Sequence, residues 1–483
     1  MTPKLLKDLS ASTVQVVINQ TLGAVVFLVT SFYLPKENYG ELNWSFAIFT
    51  FTNNLLSLRL EQIVVKRAAT DPDSSKIMTL FMIHIFLSGT GFYLLLLLLN
   101  LVFPGFFSVH NLLLIVGLSQ LFSFFSSPFK QIANGKERFD YLAAMSSVNN
   151  VARVILLLLL ILFSQVTIDR VLIVFIIGSV IELLFCFLVT RFRMRIQLKR
   201  GVRLRDYALL LKESLPQMGA AVLMAGITRL DWIFLGLFST SVITAEYSFA
   251  YRAYELSPFP LLIIAPVLLS RFSKYFAADP ERSLLEKKKE LSLLIRAEMI
   301  VATLIPLVLN ITWSPVIDFL TGNKYGHVNK WTFFILSLCI PFQYISNIIW
   351  SSQFAQHRLK LILKITVTSF LVVLIGDSIF IPMYGAVGAA FVYLAAMIVE
   401  YLNFMRHSEI SRVKESWQSL MICMIAAVAS GFTAVYFLRG AGWQAGLAIA
   451  LYFLLLLATR QLRINDLQFV FRSSRKPPPN KQS

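Results

Sequence analysis

Charged residues, cysteine and histidine are all scarce in this sequence of 483 residues. Charged side chains make up 14% of the chain, which contains only three cysteines and five histidines. The cysteines all fall in apolar segments and show neither the spacing of a zinc site nor the pattern of a disulfide framework. No nucleophile motif, phosphate-binding loop or cluster of metal-ligating residues is present. The sequence therefore predicts no metal site, no cofactor and no catalytic residue.

Acidic residues are also few, with 26 aspartates and glutamates against 44 lysines and arginines, a net charge of +18. Such an excess can indicate binding to nucleic acid. However, 57% of the residues are hydrophobic, and the mean hydropathy is +0.70. In a chain this apolar, basic residues are better explained as topology signals and as contacts to anionic lipid head groups. We therefore expect anionic lipids as partners and no nucleic acid.

Long polar stretches are missing as well. Apolar runs of about 20 residues, the length needed to cross a bilayer, follow one another along nearly the whole chain. The sequence predicts an all-α, polytopic membrane protein with about fourteen transmembrane helices. If both termini are cytoplasmic, nearly all loop lysines and arginines also fall on the cytoplasmic side, as the positive-inside rule requires. The predicted spans are 12–34, 41–65, 78–103, 110–130, 141–164, 170–190, 215–238, 246–270, 291–313, 331–354, 361–382, 385–405, 417–438 and 442–460.

The longest predicted loop, 191–214, separates the first six spans from the following eight. Its second half places apolar residues at helical spacing beside basic ones, which predicts an interfacial helix. The segment YGELNWSFA at 39–47 resembles AEYSFA at 245–250, which favours two parallel six-helix repeats. The predicted organisation is an N-terminal lobe (1–190), a cytoplasmic linker (191–214), a C-terminal lobe (215–405), two further spans (406–462) and a disordered basic tail (463–483).

Arginines inside the predicted spans are the main functional signal. A charge near the bilayer centre costs about 2.5–3.5 kcal/mol on insertion scales, so such residues rarely face lipid. At about 1.5 Å per residue, Arg153, Arg229 and Arg252 lie deep in their spans, whereas Arg59 lies nearer an inner end. All the clearly embedded cations are arginine, and guanidinium stays charged and donates two hydrogen bonds to a phosphate. These four arginines are therefore candidates for a cavity that binds a diphosphate or another polyanion.

Acidic residues inside the spans leave two interpretations open. The carboxylates can neutralise the arginines in structural ion pairs, and Arg252 and Glu255 are suitably spaced on one helix face. Arg229 and Asp231 lie on nearly opposite faces, so they cannot pair with each other. Alternatively, a buried carboxylate can carry a proton or bind sodium, which makes Asp231, Glu255 and Glu182 candidates for ion coupling.

Three stretches resemble a known superfamily. They read YGELNWSFAIFTFTNNLLSLRLEQIVVKRAA at 39–69, RLDWIFLGLFSTSVITAEYSFAYR at 229–252 and IPMYGAVGAAFVY at 381–393. On these stretches the chain resembles the oligosaccharide-lipid flippases, or polysaccharide biosynthesis membrane proteins, of the multidrug/oligosaccharidyl-lipid/polysaccharide (MOP) exporter superfamily. The IPxxGxxGAA pattern at 381–390 is typical of the fold rather than of one substrate.

The resemblance implies a flippase of the cytoplasmic membrane, not an enzyme, with two lobes arranged as a V. It would carry a polyprenyl-diphosphate-linked oligosaccharide through the arginine-lined cavity by alternating access, for O-antigen, capsule or exopolysaccharide assembly. A glycan polymerase and glycosyltransferases would be its further partners. Two other functions stay open: a cation-coupled drug or metabolite antiporter of the same fold, and a membrane glycan polymerase or ligase. The longest predicted outer loop, 314–330, is short for a catalytic role.

Overall fold

The computed structural model describes residues 3–70, 74–199, 203–276 and 284–462. In these ranges the chain forms seventeen α-helices and no β-strand. Ten helical segments within the same ranges are long and apolar enough to cross a membrane. The protein is therefore a polytopic all-α membrane protein, as its sequence predicts. The count of about fourteen spans stays a prediction.

The described helices in the first half of the chain follow the predicted spans closely, and short turns connect most of them. They are α1 (Pro3–Tyr33), α2 (Lys36–Leu56), α3 (Leu60–Thr70), α4 (Ser75–Val102), α5 (Pro104–Val109), α6 (Leu112–Gly135), α7 (Phe139–Leu162), α8 (Ile168–Leu188), α9 (Leu204–Phe238) and α10 (Ser241–Leu256).

The second half contains the helices that correspond to the last predicted spans. They are α11 (Phe259–Phe276), α12 (Lys288–Thr321), α13 (Lys330–Ser337), α14 (Cys339–Ala355), α15 (Leu359–Arg406), α16 (Glu415–Phe437) and α17 (Ala441–Ala458). The predicted basic tail, 463–483, lies outside the described residues.

Contacts divide the chain into two compact units. The first unit contains the chain up to Phe249 together with Leu320–Gly322 and Phe370–Val392. The second unit contains Ala250–Phe319, Asn323–Ser369 and the chain from Tyr393 onward. The division falls within α10 and does not test the boundaries of the predicted lobes, which therefore stay a prediction.

A buried apolar core joins α3, α4 and α6 in the first unit. Leu60, Phe81 and Ile132 are fully buried in it, and Leu210 from the first turns of α9 packs into the same cluster. The helix expected at the membrane surface over 203–214 is thus continuous with the following span, because α9 runs without a break from Leu204 to Phe238.

Two predicted spans are broken in the structure. Span 41–65 is divided between α2 and α3, where Leu58 and Arg59 adopt positive φ angles of 50° and 59°. His84 Nε2 donates to the carbonyl oxygen of Leu56 at 2.7 Å and so provides a partner for a carbonyl at the end of α2. Span 246–270 is divided between α10 and α11. Pro260 occupies the first turn of α11, where the backbone N–H that proline lacks would have no partner within the helix.

The predicted pair of spans 361–382 and 385–405 forms one sharply folded helix, α15. Gly385 adopts φ 54° and ψ −130°, which are not helical angles. A Cβ built on Gly376 would lie 2.6 Å from Cγ1 of Val392. In a straight helix, residues this far apart would be separated by about 24 Å. The chain therefore folds back on itself at Gly385 as an antiparallel hairpin.

Candidate substrate and ion-coupling sites

Glu182 of α8 is the centre of a buried polar cluster in the first unit. The residue is 1% exposed. Its carboxylate accepts hydrogen bonds from Ser123 Oγ at 2.9 Å and from Ser126 Oγ at 3.2 Å, both on α6. Asn149 Nδ2 of α7 donates a third hydrogen bond at 2.7 Å. Helices α6 and α7 both pack against α8, so the fold itself holds the carboxylate in place.

Lys130 completes this cluster, although the sequence places it at the cytoplasmic end of a span. Helix α6 continues to Gly135, beyond the predicted end at 130, so Lys130 belongs to the helix. Its ammonium group forms an ion pair with Glu182, and 22% of the lysine side chain remains exposed. Lys130 thus reaches a buried acid from the predicted end of its span. A lysine near a helix end can reach inward to a buried acid as well as outward to the surface.

Arg153 of α7 enters the same helix bundle. Its Nη2 donates to Ser179 Oγ at 3.2 Å and contacts Ser119 Oγ at 3.5 Å. The guanidinium carbon lies 4.3 Å from the centroid of the Phe175 ring. Gly178 leaves room for this side chain, because a Cβ there would lie 2.9 Å from Arg153 Cγ. Neutral groups therefore hold Arg153, and its buried Nε has no hydrogen-bond partner among the described residues.

The cluster of Lys130, Glu182 and Arg153 has one net positive charge. Glu182 interacts electrostatically with Arg153, but its ion pair is with Lys130. In the described part of the chain, no carboxylate lies within ion-pairing distance of Arg153. Because a charge acts strongly in a poorly solvated interior, this excess favours an anion near Arg153. Two of the seven candidate residues, Arg153 and Glu182, are thus brought together in one place.

Asp231 of α9 forms a separate buried site in the first unit. It is 1% exposed. Its carboxylate accepts hydrogen bonds from the Tyr247 hydroxyl group of α10 and from the backbone N–H of Trp232 at 2.8 Å. Arg229, two residues earlier and on nearly the opposite face of α9, is half-buried and donates to the Thr228 carbonyl at 3.1 Å. Its guanidinium carbon lies 5.2 Å from the centroid of the Trp232 ring.

A second buried carboxylate, Asp377 of α15, faces the same region as Asp231. Asp377 is fully buried, and neither of its carboxylate oxygens has a hydrogen-bond partner among the described residues. The two carboxylates interact electrostatically. Two acids in one buried site repel each other unless a proton or another cation lies between them. Sequence reasoning did not select Asp377, since only the fold shows that it lies near Asp231.

Helix α2 approaches the end of α9 and the start of α10 unusually closely, through a group of residues that we call the Gly40 contact. A Cβ on Gly40 would lie 1.8 Å from the Ser241 carbonyl oxygen, and a Cβ on Gly236 would lie 1.9 Å from Cδ1 of Trp44. Trp44 Nε1 donates to the Ile233 carbonyl at 3.1 Å. The two glycines therefore allow a backbone approach that any side chain would block.

Charged groups flank the Gly40 contact. Lys36 Nζ lies 2.6 Å from Glu246 Oε1, and both side chains are largely buried. Glu41 accepts a hydrogen bond from His110 Nδ1 at 3.1 Å, and the imidazole ring lies 4.1 Å from the Trp44 ring. The Lys36–Glu246 ion pair holds α2 against α10, and the Glu41–His110 hydrogen bond holds α2 against the turn between α5 and α6.

Arg252 and Glu255 belong to the second unit. Arg252 Nη1 lies 2.8 Å from Glu255 Oε2, and the two side chains are 44% and 28% exposed. The ion pair that their spacing allows is therefore present in the structure. For these two residues the structural interpretation has direct support.

Arg59 lies at the break between α2 and α3 rather than inside a continuous span. Its side chain is half-buried and interacts electrostatically with Glu61. Arg59 is thus part of an irregular backbone segment, which distinguishes it from Arg153.

The described residues contain no group of three or more histidine, cysteine or acidic side chains that could hold a metal ion. The three cysteines, Cys186, Cys339 and Cys423, are free and buried. Any chemistry at the two sites above therefore rests on carboxylates, cations and hydroxyl groups.

Several solved structures share the architecture of this chain. The chain matches lipid II flippase MurJ in an inward closed conformation, with a TM-score of 0.72 at 18% identity, over 92% of this chain and 98% of that one. It matches an inward-facing multidrug-resistance MATE-family transporter of the MOP superfamily with a TM-score of 0.64 at 16% identity, over 82% and 96% of the two chains. A MOP-superfamily transporter from Pyrococcus furiosus gives 0.59 at 13% identity, over 85% and 96%. The chain therefore shares the fold of these proteins, which are named as a flippase and transporters.

The sequence itself identifies the family. Residues 5–276, more than half of the chain, match the model of a family described as polysaccharide biosynthesis protein. The chain belongs to this polysaccharide biosynthesis family. No curated protein matches it in sequence.

Proposed function

We propose that this protein is a flippase that moves a polyprenyl-diphosphate-linked oligosaccharide across the cytoplasmic membrane for surface polysaccharide assembly. Membership of the polysaccharide biosynthesis family supports the glycan substrate, and the fold shared with a lipid II flippase supports transport. In the proposed topology both termini are cytoplasmic, because this arrangement collects the basic loops on one side.

The observation that carries the proposal is the uncompensated charge of Arg153. Its guanidinium group is held by two serine hydroxyl groups and a phenyl ring rather than by an acid. Glu182 is already neutralised by Lys130, so an added anion would restore the charge balance of the cluster. A diphosphate accepts forked hydrogen bonds from guanidinium groups, which suits this position. Arg229, Arg252 and Arg59 remain proposed contacts for the same anionic head group.

The proposed coupling site is Asp231 together with Asp377. Two buried carboxylates in mutual electrostatic contact need a proton or a sodium ion to share the site. The Tyr247 hydroxyl group already stabilises Asp231, whereas Asp377 has no donor among the described residues. Glu182 and Glu255 are weaker candidates for coupling, since each forms an ion pair within the protein.

The Gly40 contact fits the movement that this function requires. Alternating access needs one side of the transport path to close while the other opens. In the proposed topology the α9–α10 turn and the start of α2 lie on the outer side of the membrane. The Gly40 contact would then close the outer side of the transport path. Helix α2 would separate from the α9–α10 turn when the substrate is released outward.

The proposal is tested by measuring surface glycan in cells that carry only the altered protein. Arg153→Ala should abolish glycan output while the protein remains at its normal level in the membrane. Arg153→Lys should restore output poorly, because an ammonium group lacks the forked donor geometry. Arg170→Ala is the matched control, since Arg170 is exposed and donates only to the Gln165 carbonyl among the described residues.

Normal glycan output from Arg153→Ala would contradict a substrate role for this cluster. A direct assay removes indirect effects: purified protein in liposomes should move a fluorescent polyprenyl-diphosphate oligosaccharide between leaflets. Failure of the wild-type protein to move this lipid, with retained folding, would overturn the function itself.

A cation-coupled exporter of smaller molecules is the second candidate, because the buried acid pair and the fold of the MATE-family transporter both suit it. The liposome assay separates the two functions. An exporter of this kind would show efflux of a soluble cation driven by a proton or sodium gradient, with no movement of the glycolipid.

A further inference from the structure

A cationic cavity lies at the open end of the α15 hairpin. It has a volume of about 240 Å³, and its basic lining residues are Lys364, Arg406 and His407. Thr368 and Asn403 are its other polar lining residues, and no acidic side chain lines it. All of these residues belong to the second unit.

The fold of α15 explains why these cations converge. Lys364 lies near the start of the helix, and Arg406 is its last residue. The bend at Gly385 turns the second half back along the first, so that Gly388 approaches Phe380 and Gly376 approaches Val392. Continued along both arms, the same pairing brings residues near 364 beside residues near 404. Like charges brought together by a fold destabilise it unless an anion compensates them.

Hydrogen bonds within the hairpin occupy the neutral groups and leave the cations available. Thr368 Oγ1 donates to the Lys364 carbonyl at 3.0 Å, and Asn403 Nδ2 donates to the Val399 carbonyl at 2.9 Å. His407 Nδ1 lies 2.9 Å from the Asn403 carbonyl oxygen, which can only accept, so this imidazole nitrogen is the donor. In the described part of the chain, neither Lys364 nor Arg406 forms an ion pair.

An apolar strip runs along α15 beside the cavity. Leu363, Val367, Leu371 and Ile375 follow one another at intervals of four residues, and they are 39%, 37%, 46% and 58% exposed. Large aliphatic side chains exposed on one face of a membrane helix contact acyl chains. A cationic cavity at the end of such a strip matches the shape of a lipid, with a phosphate at the cavity and a chain along the strip.

We infer that this cavity binds the phosphate of a membrane lipid whose head group is anionic overall, with Lys364 and Arg406 as its main contacts. In the proposed topology it lies on the cytoplasmic side, where anionic lipids and a polyprenyl diphosphate both present phosphates. The inference does not depend on the proposed transport activity, because binding can be measured without transport.

The test is native mass spectrometry of the purified full-length protein in mild detergent. Phosphatidylglycerol, phosphatidylcholine and a polyprenyl diphosphate are added in turn, and the affinity for each is measured. Lys364→Ala and Arg406→Ala should each weaken binding of the anionic lipids about fivefold, and the double variant about 25-fold. Binding of phosphatidylcholine should change little. Melting temperatures should stay near that of the wild type, because both side chains are exposed.

Arg439→Ala is the matched control, since it removes the same charge from an exposed position of the second unit that does not line the cavity. Tighter binding of phosphatidylglycerol would identify a bulk anionic lipid as the occupant, and tighter binding of the diphosphate would identify a lipid-linked glycan carrier. The inference would be overturned by equal wild-type affinity for all three lipids. Equal weakening by Arg439→Ala and Arg406→Ala would overturn it as well, because only general charge attraction would then operate.

Discussion

Gly40→Ala should disrupt the close approach of α2 to α10, because the added methyl group would overlap the backbone of α10. The new Cβ would lie 1.8 Å from the Ser241 carbonyl oxygen, and carbon and oxygen atoms not bonded to each other stay about 3 Å apart. The obstacle is backbone on both sides, so no side-chain rotation relieves it. Helix α2 must therefore retreat by about 1 Å, which breaks the contact rather than adjusting it.

Overpacking of this kind costs about 1–3 kcal/mol. If the Gly40 contact is formed only while the outer side is closed, the whole cost falls on the closed state. The ratio of open to closed molecules then rises about 5- to 150-fold, since each 1.4 kcal/mol is a factor of ten. Transport should fall, because a protein that cannot close its outer side cannot reload from the cytoplasm.

Labelling of a cysteine at position 43 measures this change. Asn43 is 8% exposed on α2, and the three natural cysteines can be removed first. In the Gly40→Ala background, Asn43→Cys should react faster with a maleimide that does not cross the membrane. Gly91→Ala is the matched control, because no atom lies within 4 Å of a Cβ built on Gly91 of α4. In a helix this control should be neutral or slightly stabilising.

Two results would refute the reasoning. An unchanged labelling rate together with a lower melting temperature would show that the Gly40 contact is permanent and serves only stability. Faster labelling in Gly91→Ala as well would show that the effect comes from any added methyl group and not from the close backbone approach.

Three further predictions concern buried and surface charges. Glu182→Gln leaves the Lys130 ammonium group without its partner. Because that lysine is partly exposed, the free energy of unfolding should fall by an amount at the low end of about 3–5 kcal/mol, measured as a lower melting temperature. Asp377→Asn should keep or raise the melting temperature, because it removes an uncompensated carboxylate. Surface glycan should be lost in the same variant, and full glycan output would rule out coupling at this residue. The ammonium group of Lys76, 2.9 Å from Asp206, lowers the pKa of that carboxyl group below its usual value. The stability from this pair should be present above about pH 4 and lost as the pH falls further, so Asp206→Asn should destabilise the protein at pH 7 and match the wild type in acid melts.

Helix positions were largely predictable because a bilayer imposes one requirement, about 20 apolar residues per crossing, that the sequence displays directly. The breaks within spans were not equally visible. The division between α10 and α11 has a local signal in the sequence, because Pro260 fits the first turn of a helix but not its interior. No proline or glycine marks the break at Leu58 and Arg59, where the irregular backbone depends on His84 from another helix. Tertiary partners of this kind leave no local signal.

Sequence reasoning could select individual candidate residues, but it could not show which residues lie beside one another. Depth in the membrane selected Arg153, Glu182 and Asp231, and all three are at least partly buried. The pairing of Glu182 with Lys130 was hidden, since a lysine at a predicted span end normally turns toward the surface. The proximity of Asp377 to Asp231 depends on the packing of α15 beside α9, two helices that are far apart in the chain.

Charge compensation separates the structural groups from those proposed to act in transport. Glu182 and Lys130 neutralise each other, so removal of either would leave a buried charge alone and weaken the bundle. Arg153 and Asp377 have no such partner among the described residues, although burial makes an isolated charge unfavourable. A ligand shifts a conformational equilibrium only by binding one state better than the other. A phosphate at Arg153 and a cation at Asp377 would each supply a partner that the protein itself omits, and would therefore stabilise the state in which these residues face the bound ligand.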